Sequence, residues 1–197
     1  MVDYDLLIVG GGIAGSVAAK FAAKHGLNTL FIEKDKTPRN KPCSGIQFKY
    51  FENIIGEKIP KERLCNNQLN RVKMFLPNGF SVTSPFPMLN FMRKPLDEWL
   101  NQVAESYGAQ FQDECELIDF TVHPNSVSAV LETKRNKRTS ISARYLVDAT
   151  GLRPKPRQKL RPNDFISKSS GSTLNYYIDG EAKLNPHALY QFWNLEF

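Results

Sequence analysis

The residues best suited to chemistry stand near the amino terminus. Gly10-Gly11-Gly12-Ile13-Ala14-Gly15 follows a short apolar run and opens a segment with helical spacing. Glycines at this interval do separate jobs. Gly10 allows a tight turn, Gly12 lets a pyrophosphate approach the backbone, and Gly15 lets the helix pack closely on the strand. The helix N-terminus then offers N–H groups and partial positive charge to phosphates. Glu33 lies 23 residues after Gly10, at the end of the next apolar run. A carboxylate there accepts hydrogen bonds from ribose hydroxyls and repels a 2′-phosphate. Glycines, helix start and acid in this register predict an adenine-dinucleotide site, with Gly10, Gly12, Ala14 and Gly15 at the pyrophosphate and Glu33 at the ribose. The glycines alone do not separate FAD from NAD.

A second motif bears on that choice. Leu146-Val147-Asp148-Ala149-Thr150-Gly151 is a strand-like run ending in Asp-Ala-Thr-Gly. With it the sequence resembles the FAD-dependent reductases and hydroxylases of the glutathione-reductase type, in which such a strand end packs beside the dinucleotide motif. Two further segments, Lys41-Pro42-Cys43-Ser44-Gly45 and Arg93-Lys94-Pro95-Leu96-Asp97-Glu98-Trp99-Leu100, narrow the resemblance. Together with Tyr4-Asp5 and Glu33-Lys34 they look like the geranylgeranyl reductase family of flavoproteins, over residues 3 to 165. The resemblance implies an α/β fold, a Rossmann-like three-layer FAD-binding domain with a parallel sheet and an inserted β-meander. It implies FAD as cofactor and NAD(P)H or another reductant as electron donor. It sets Cys43, Ser44, Gly45 and Arg93 on the flavin side, and Lys34, Leu117, Asp148 and Gly151 along the rest of the cofactor. The family often has a glycine where this chain has Ser44.

The implied reaction is saturation of carbon–carbon double bonds in an isoprenoid chain by reduced flavin, with no general acid assigned and Cys43 the one candidate catalytic residue. Two rivals stay open. One is an aromatic hydroxylase or halogenase on the same flavin scaffold. The other is a non-catalytic dinucleotide-binding module, because the later Gly-Asp motif of the family is absent from these 197 residues. The chain is expected to be a fragment, or a short member completed by pairing as a homodimer. His25, His123 and His187 lack ligand spacing, and Cys43, Cys65 and Cys115 show no Cys-x-x-Cys pair, so no metal is expected.

Positioning these motifs requires particular elements. Asp5–Val9, Ile13–His25 and Thr29–Glu33 read as strand, helix and strand, a βαβ unit with a right-handed crossover. Lys34 to Gly45 reads as a loop. Leu69–Leu76 and Phe80–Ser84 flank the turn Pro77-Asn78-Gly79, and Pro95–Tyr107 has an apolar helical face. Glu116–Val122, Ser126–Glu132 and Thr139–Ala143 read as a meander, and Tyr145–Ala149 as a separate strand. Leu152 to Ser172 reads as a connector, then Thr173–Ile178 and Ala188–Trp193 as strands. The domains expected are 1–165, holding the FAD site with strand insertions at 69–84 and 116–143, and 173–197, the start of a strand-rich substrate domain.

Composition sets the frame. The chain has 41% hydrophobic residues and a net charge of +6, enough for a core and too apolar for disorder. No apolar run approaches the roughly 18 residues of a membrane span. The acidic start Val2-Asp3-Tyr4-Asp5 runs straight into the motif, so no signal peptide is expected and the cytosol is the expected compartment. The charge is concentrated: between Lys134 and Pro162 stand ten bases and one acid, +9, leaving −3 for the remainder. That segment reads either as a solvated loop or as a contact with anionic lipid headgroups or phosphorylated substrates. It lacks the interleaved aromatics of a nucleic-acid site.

Overall fold

The computed structural model describes residues 2–152, 154–164, 173–178, 180–181 and 183–193. In chain order the first elements are β1 (Tyr4–Val9), α1 (Ile13–Lys24), β2 (Thr29–Ile32), β3 (Ile46–Phe48), α2 (Phe51–Ile55), α3 (Lys61–Leu64), β4 (Cys65–Phe75) and β5 (Ser81–Phe91). There follow α4 (Arg93–Ser106), β6 (Gln110–Gln112), β7 (Cys115–His123), β8 (Ser126–Thr133), β9 (Arg138–Asp148), α5 (Lys155–Leu160) and β10 (Ala188–Phe192). They form two compact units, Met1–Asn40 with Asp97–Ser172, and Lys41–Leu96 with Thr173–Phe197. The sequence reading places 69–84 in the first domain. The units group that hairpin with the end of the chain instead, because β10 pairs in parallel with β4, Ala188 opposite Arg71.

The first unit is built on a six-stranded sheet, order β6-β2-β1-β9-β8-β7. The strands β6, β2, β1 and β9 run parallel, and β9, β8 and β7 are antiparallel. Strand alternation sorts the core to two faces. Leu7, Val9, Leu30 and Ile32 pack with Leu117, Phe120 and Leu131 of the meander. Ile8 and Phe31 pack with Ala19 of α1 and Ala104 of α4. Leu7, Ile8 and Phe31 are each 0% exposed, and burial of each side chain is worth about 1.5–3 kcal/mol. A strand buried on both faces reads as a continuous apolar run, as Leu6-Leu7-Ile8-Val9 does. The result is the three-layer α/β domain with its meander.

The sequence divides Thr139–Ala143 from Tyr145–Ala149, but β9 is one strand with two partners. Its first part pairs antiparallel with β8, its second parallel with β1, and Ala143 pairs with both Val127 and Tyr4. Arg144 breaks the apolar pattern without breaking the strand, because it is exposed and ion-paired with Asp5. Five of the ten bases in the basic segment are paired in the same way. Lys134, Arg138, Arg144, Lys155 and Lys159 pair with Glu114, Glu132, Asp5, Glu116 and Asp119.

The second unit is a four-stranded sheet, order β10-β4-β5-β3, with Phe51, Ile55, Leu69, Met88 and Leu89 among its buried side chains. The turn at Pro77-Asn78-Gly79 joins β4 to β5, closed by Gly79 N–H to Leu76 O at 3.0 Å. Residues 173–178, expected as a strand, are in none. Leu174 and Ile178 are 83% and 89% exposed, and no described strand supplies them a ladder. The remaining part of the expected connector, 165–172, and the last four residues of the expected substrate domain lie outside the described residues. Among the described residues no helix is long and apolar enough to cross a membrane.

Candidate functional site

The glycine turn sits where β1 ends and α1 begins, at the carboxyl ends of the parallel strands. Gly10 has φ +114°, a conformation L side chains rarely adopt, and a Cβ on it would stand 2.3 Å from Ala149 O. A Cβ on Gly15 would stand 1.7 Å from Gly10 O, so helix and turn close only without side chains. The Asp-Ala-Thr-Gly end of β9 is therefore packed directly against the turn, held by Ala149 N–H to Val9 O at 2.8 Å. Ser16 N–H makes a helical bond to Gly12 O at 2.9 Å. The first-turn N–H groups before it have no i−4 carbonyl within the helix, and no acid stands in that turn to take them. Such a helix start favours an anion.

Glu33 follows β2 and is 5% exposed. Its Oε2 accepts from Gly11 N–H at 3.0 Å and from Arg39 Nη2 at 3.1 Å, and its Oε1 accepts from Asp35 N–H at 3.1 Å. Arg39 Nη2 also stands 3.8 Å from Asp97 Oδ2 on α4. One turn further along α4, Asn101 Oδ1 lies 2.5 Å from the Ser16 hydroxyl.

Beside Glu33 opens a cavity of about 330 Å³. Val9, Gly10, Glu33 and Lys34 form one wall, Cys115–Leu117 of β7 another, and Thr150, Lys155 and Pro156 complete it. Burial pushes the Cys115 thiol up to about 11, so this wall presents a protonated, unreactive sulfur. The turn after β9 is built by Asp148, whose Oδ1 accepts from Thr150 N–H at 3.1 Å and Thr150 Oγ1 at 2.6 Å. Asp148 Oδ2 accepts from Arg157 N–H at 3.1 Å, which ties α5 to the same turn. Lys155 pairs with Glu116 across the cavity, and Lys159 pairs with Asp119 and donates to Phe120 O at 2.6 Å. The Lys159 hydrogen bond, then the Phe120 N–H, hold the Asp119 carboxyl below the ordinary range.

The structure thus brings together Gly10, Glu33, Lys34 and Leu117 around one cavity, with Gly12, Ala14 and Gly15 at the adjoining helix start. Asp148 and Gly151 shape the turn beside it. Cys43, Ser44 and Gly45 belong to the second unit, where Gly45 packs on Phe91. There Phe91 N–H donates to Gly45 O at 2.9 Å and Asn90 Nδ2 to Ser44 O at 2.8 Å. Arg93 opens α4, half-buried. Sequence reasoning missed Arg39, Asp97, Thr150 and Lys155. Thr150 and Asp97 each lay inside a motif already singled out. For Arg39 the only signal was a base within a loop, and Asp97 lies 58 residues away.

These residues fit a bound dinucleotide. The turn tolerates no side chain, the helix start offers anion-binding N–H groups, and a buried carboxylate faces a cavity within the roughly 300–1,000 Å³ of small-molecule sites. The family model described as FAD binding domain matches residues 3–178. The chain belongs to this FAD-binding family. FAD is accordingly its cofactor, and the ambiguity left by the glycines is settled by the family match. Digeranylgeranylglycerophospholipid reductase of Sulfolobus acidocaldarius is 28% identical over 175 residues, 82% of this chain and 37% of that protein. A geranylgeranyl bacteriochlorophyll reductase-like protein of Thermoplasma acidophilum superposes with a TM-score of 0.66 at 24% identity, over 73% of this chain and 38% of that one. Halogenase PltM, solved with phloroglucinol and FAD, gives 0.66 at 19% identity, over 80% of this chain and 36% of its own. The two structural likenesses show the fold. This FAD-binding chain spans less than half the length of the relatives named.

Proposed function

We propose that the chain is the FAD-binding part of a reductase of the geranylgeranyl type, acting on carbon–carbon double bonds of an isoprenoid chain. The observation that carries the reading is the Glu33-lined cavity against the glycine turn, in a chain similar to a digeranylgeranylglycerophospholipid reductase. In it Gly10, Gly12, Ala14 and Gly15 hold the pyrophosphate and Glu33 the ribose, while Lys34 and Leu117 border the adenine. Asp148 and Gly151 keep the turn in place against Gly10. Cys43, Ser44, Gly45 and Arg93 form the flavin side. Bound FAD, once reduced by NAD(P)H or another donor, supplies the hydride equivalent. The protein's own work is to orient it and to shape the substrate's approach. Arg135 and Lys137, exposed at the β8–β9 hairpin tip, suit contact with an anionic membrane surface.

Visible absorption of the purified chain, with FAD titration if it emerges colourless, tests the cofactor site. Flavin bands that bleach with dithionite or NAD(P)H and return on adding a geranylgeranyl lipid support the reductase. Return with an aromatic substrate instead favours a hydroxylase or halogenase. A chain that cannot be reconstituted with FAD overturns the reading.

A further inference from the structure

We infer that Arg39 is a positioning residue for the ribose acid: bridging Glu33 and Asp97, it fixes which oxygen of Glu33 is left to meet the cofactor. The inference rests on the reading that the FAD ribose lies at Glu33. Each carboxylate oxygen offers about two acceptor sites. Oε2 of Glu33 is taken by Gly11 N–H at 3.0 Å and Arg39 Nη2 at 3.1 Å. Oε1 has one protein donor, Asp35 N–H at 3.1 Å, and so retains capacity for a ribose hydroxyl. Glu33 packs closely on the glycine turn, which must stay bare at Gly11. Glu33 Cβ lies 2.8 Å from where a Cβ on Gly11 would stand, with the Phe111 ring 3.0 Å from the same point.

Charge makes the arginine more than a third contact. Glu33 and Asp97 are 6% and 4% exposed at the side chain, and come from different elements to one guanidinium that is itself 12% exposed. Two buried carboxylates thus share this one guanidinium, beside a cofactor that is also an anion. Removing the cation strips the buried Glu33 carboxylate of its charged partner in a medium that screens charge poorly. The Glu33 carboxylate then swings away from Asp97, off the Gly11 N–H and out of line with the cavity. A lysine keeps the charge but not the planar fork that reaches two acids at once.

The test is FAD affinity of the whole chain by quenching of flavin fluorescence, for wild type, Glu33→Gln, Arg39→Met, Arg39→Lys and the double variant Arg39→Met with Glu33→Gln. Arg39→Met is expected to weaken FAD about tenfold or more, as loss of a buried charged partner does, and Arg39→Lys to recover part of that loss. The double variant should bind no worse than Glu33→Gln alone, because Arg39 acts through Glu33. A merely structural arginine gives additive losses. Additive losses, or Arg39→Met within twofold of wild type, overturn the inference. If Arg39→Met does not fold, Arg39→Lys alone and with Glu33→Gln gives the same additivity test. Wild-type binding that Glu33→Gln leaves unchanged defeats the ribose reading instead, a different result.

Discussion

The two walls of the cavity hold their charges in different ways. On the Glu33 side the acid is buried, accepts two backbone N–H groups and is paired with an arginine only 12% exposed at its side chain. On the α5 side Lys155 and Glu116 are 61% and 39% exposed at their side chains, and further along α5, outside the cavity lining, Lys159 and Asp119 are 48% and 63% exposed. Both walls carry ion pairs, yet only the first is built into the fold. A buried pair is costly to break because it strands a charge in a poor solvent. An exposed pair is screened by water and salt, and is worth about 0–1 kcal/mol. The comparison separates the fixed frame of the site from a lightly fastened cover.

The largest expected effect lies in the frame. Gly15→Val puts side-chain atoms where Gly10 O now stands, and should lower stability by about 1–3 kcal/mol while abolishing measurable FAD binding. Thermal unfolding with a flavin titration checks both, and a variant that binds FAD like wild type would break the claim that helix and turn must close. The walls can then be set against each other by removing one charge from each. Glu33→Gln should weaken FAD about tenfold, whereas Glu116→Gln should stay within about twofold. Equal losses would erase the distinction.

The smallest effect is in the cover. Lys159→Ala should return the Asp119 carboxyl upward toward the ordinary aspartate range, read by an NMR pH titration, with little change in melting temperature. The sign follows from the folded carboxyl being depressed. What stabilisation the pair gives is present above the unfolded aspartate value, about 3.9, and is lost as pH falls through the lower folded value. A melting temperature that depends strongly on Lys159 would promote this wall to part of the frame.

Features set by neighbours in sequence were readable before any fold was known. The glycine turn, the helix after it and Glu33 at the strand end sit within 24 residues, and each is fixed by backbone geometry. The hairpin turn at Pro77-Asn78-Gly79 was legible for the same reason, Gly79 standing at φ +82°. Where local pattern and tertiary partner disagreed, the partner decided. Arg144 looked like the end of a strand, but Asp5 pairs with it and β9 continues past it. Thr173–Ile178 had strand-forming residues and, among the described residues, no strand beside it. The Pro- and Lys-rich run after Leu152 looked like a connector, yet its prolines suit the opening turn of α5, with Pro156 buried.

By itself, then, the sequence determined the βαβ unit and pointed to an adenine dinucleotide upon it, because turn, helix start and acid are governed by spacing along one short stretch of chain. It also carried enough family pattern to mark FAD and a reductase as the expectation. Only the tertiary structure decided what surrounds the acid. Arg39 comes from a loop, Asp97 from a helix and Lys155 from a short helix after the last strand of the sheet, and no spacing rule relates them. Their meeting depends on which elements the core pulls together, and buried charges must then find partners wherever packing has placed them.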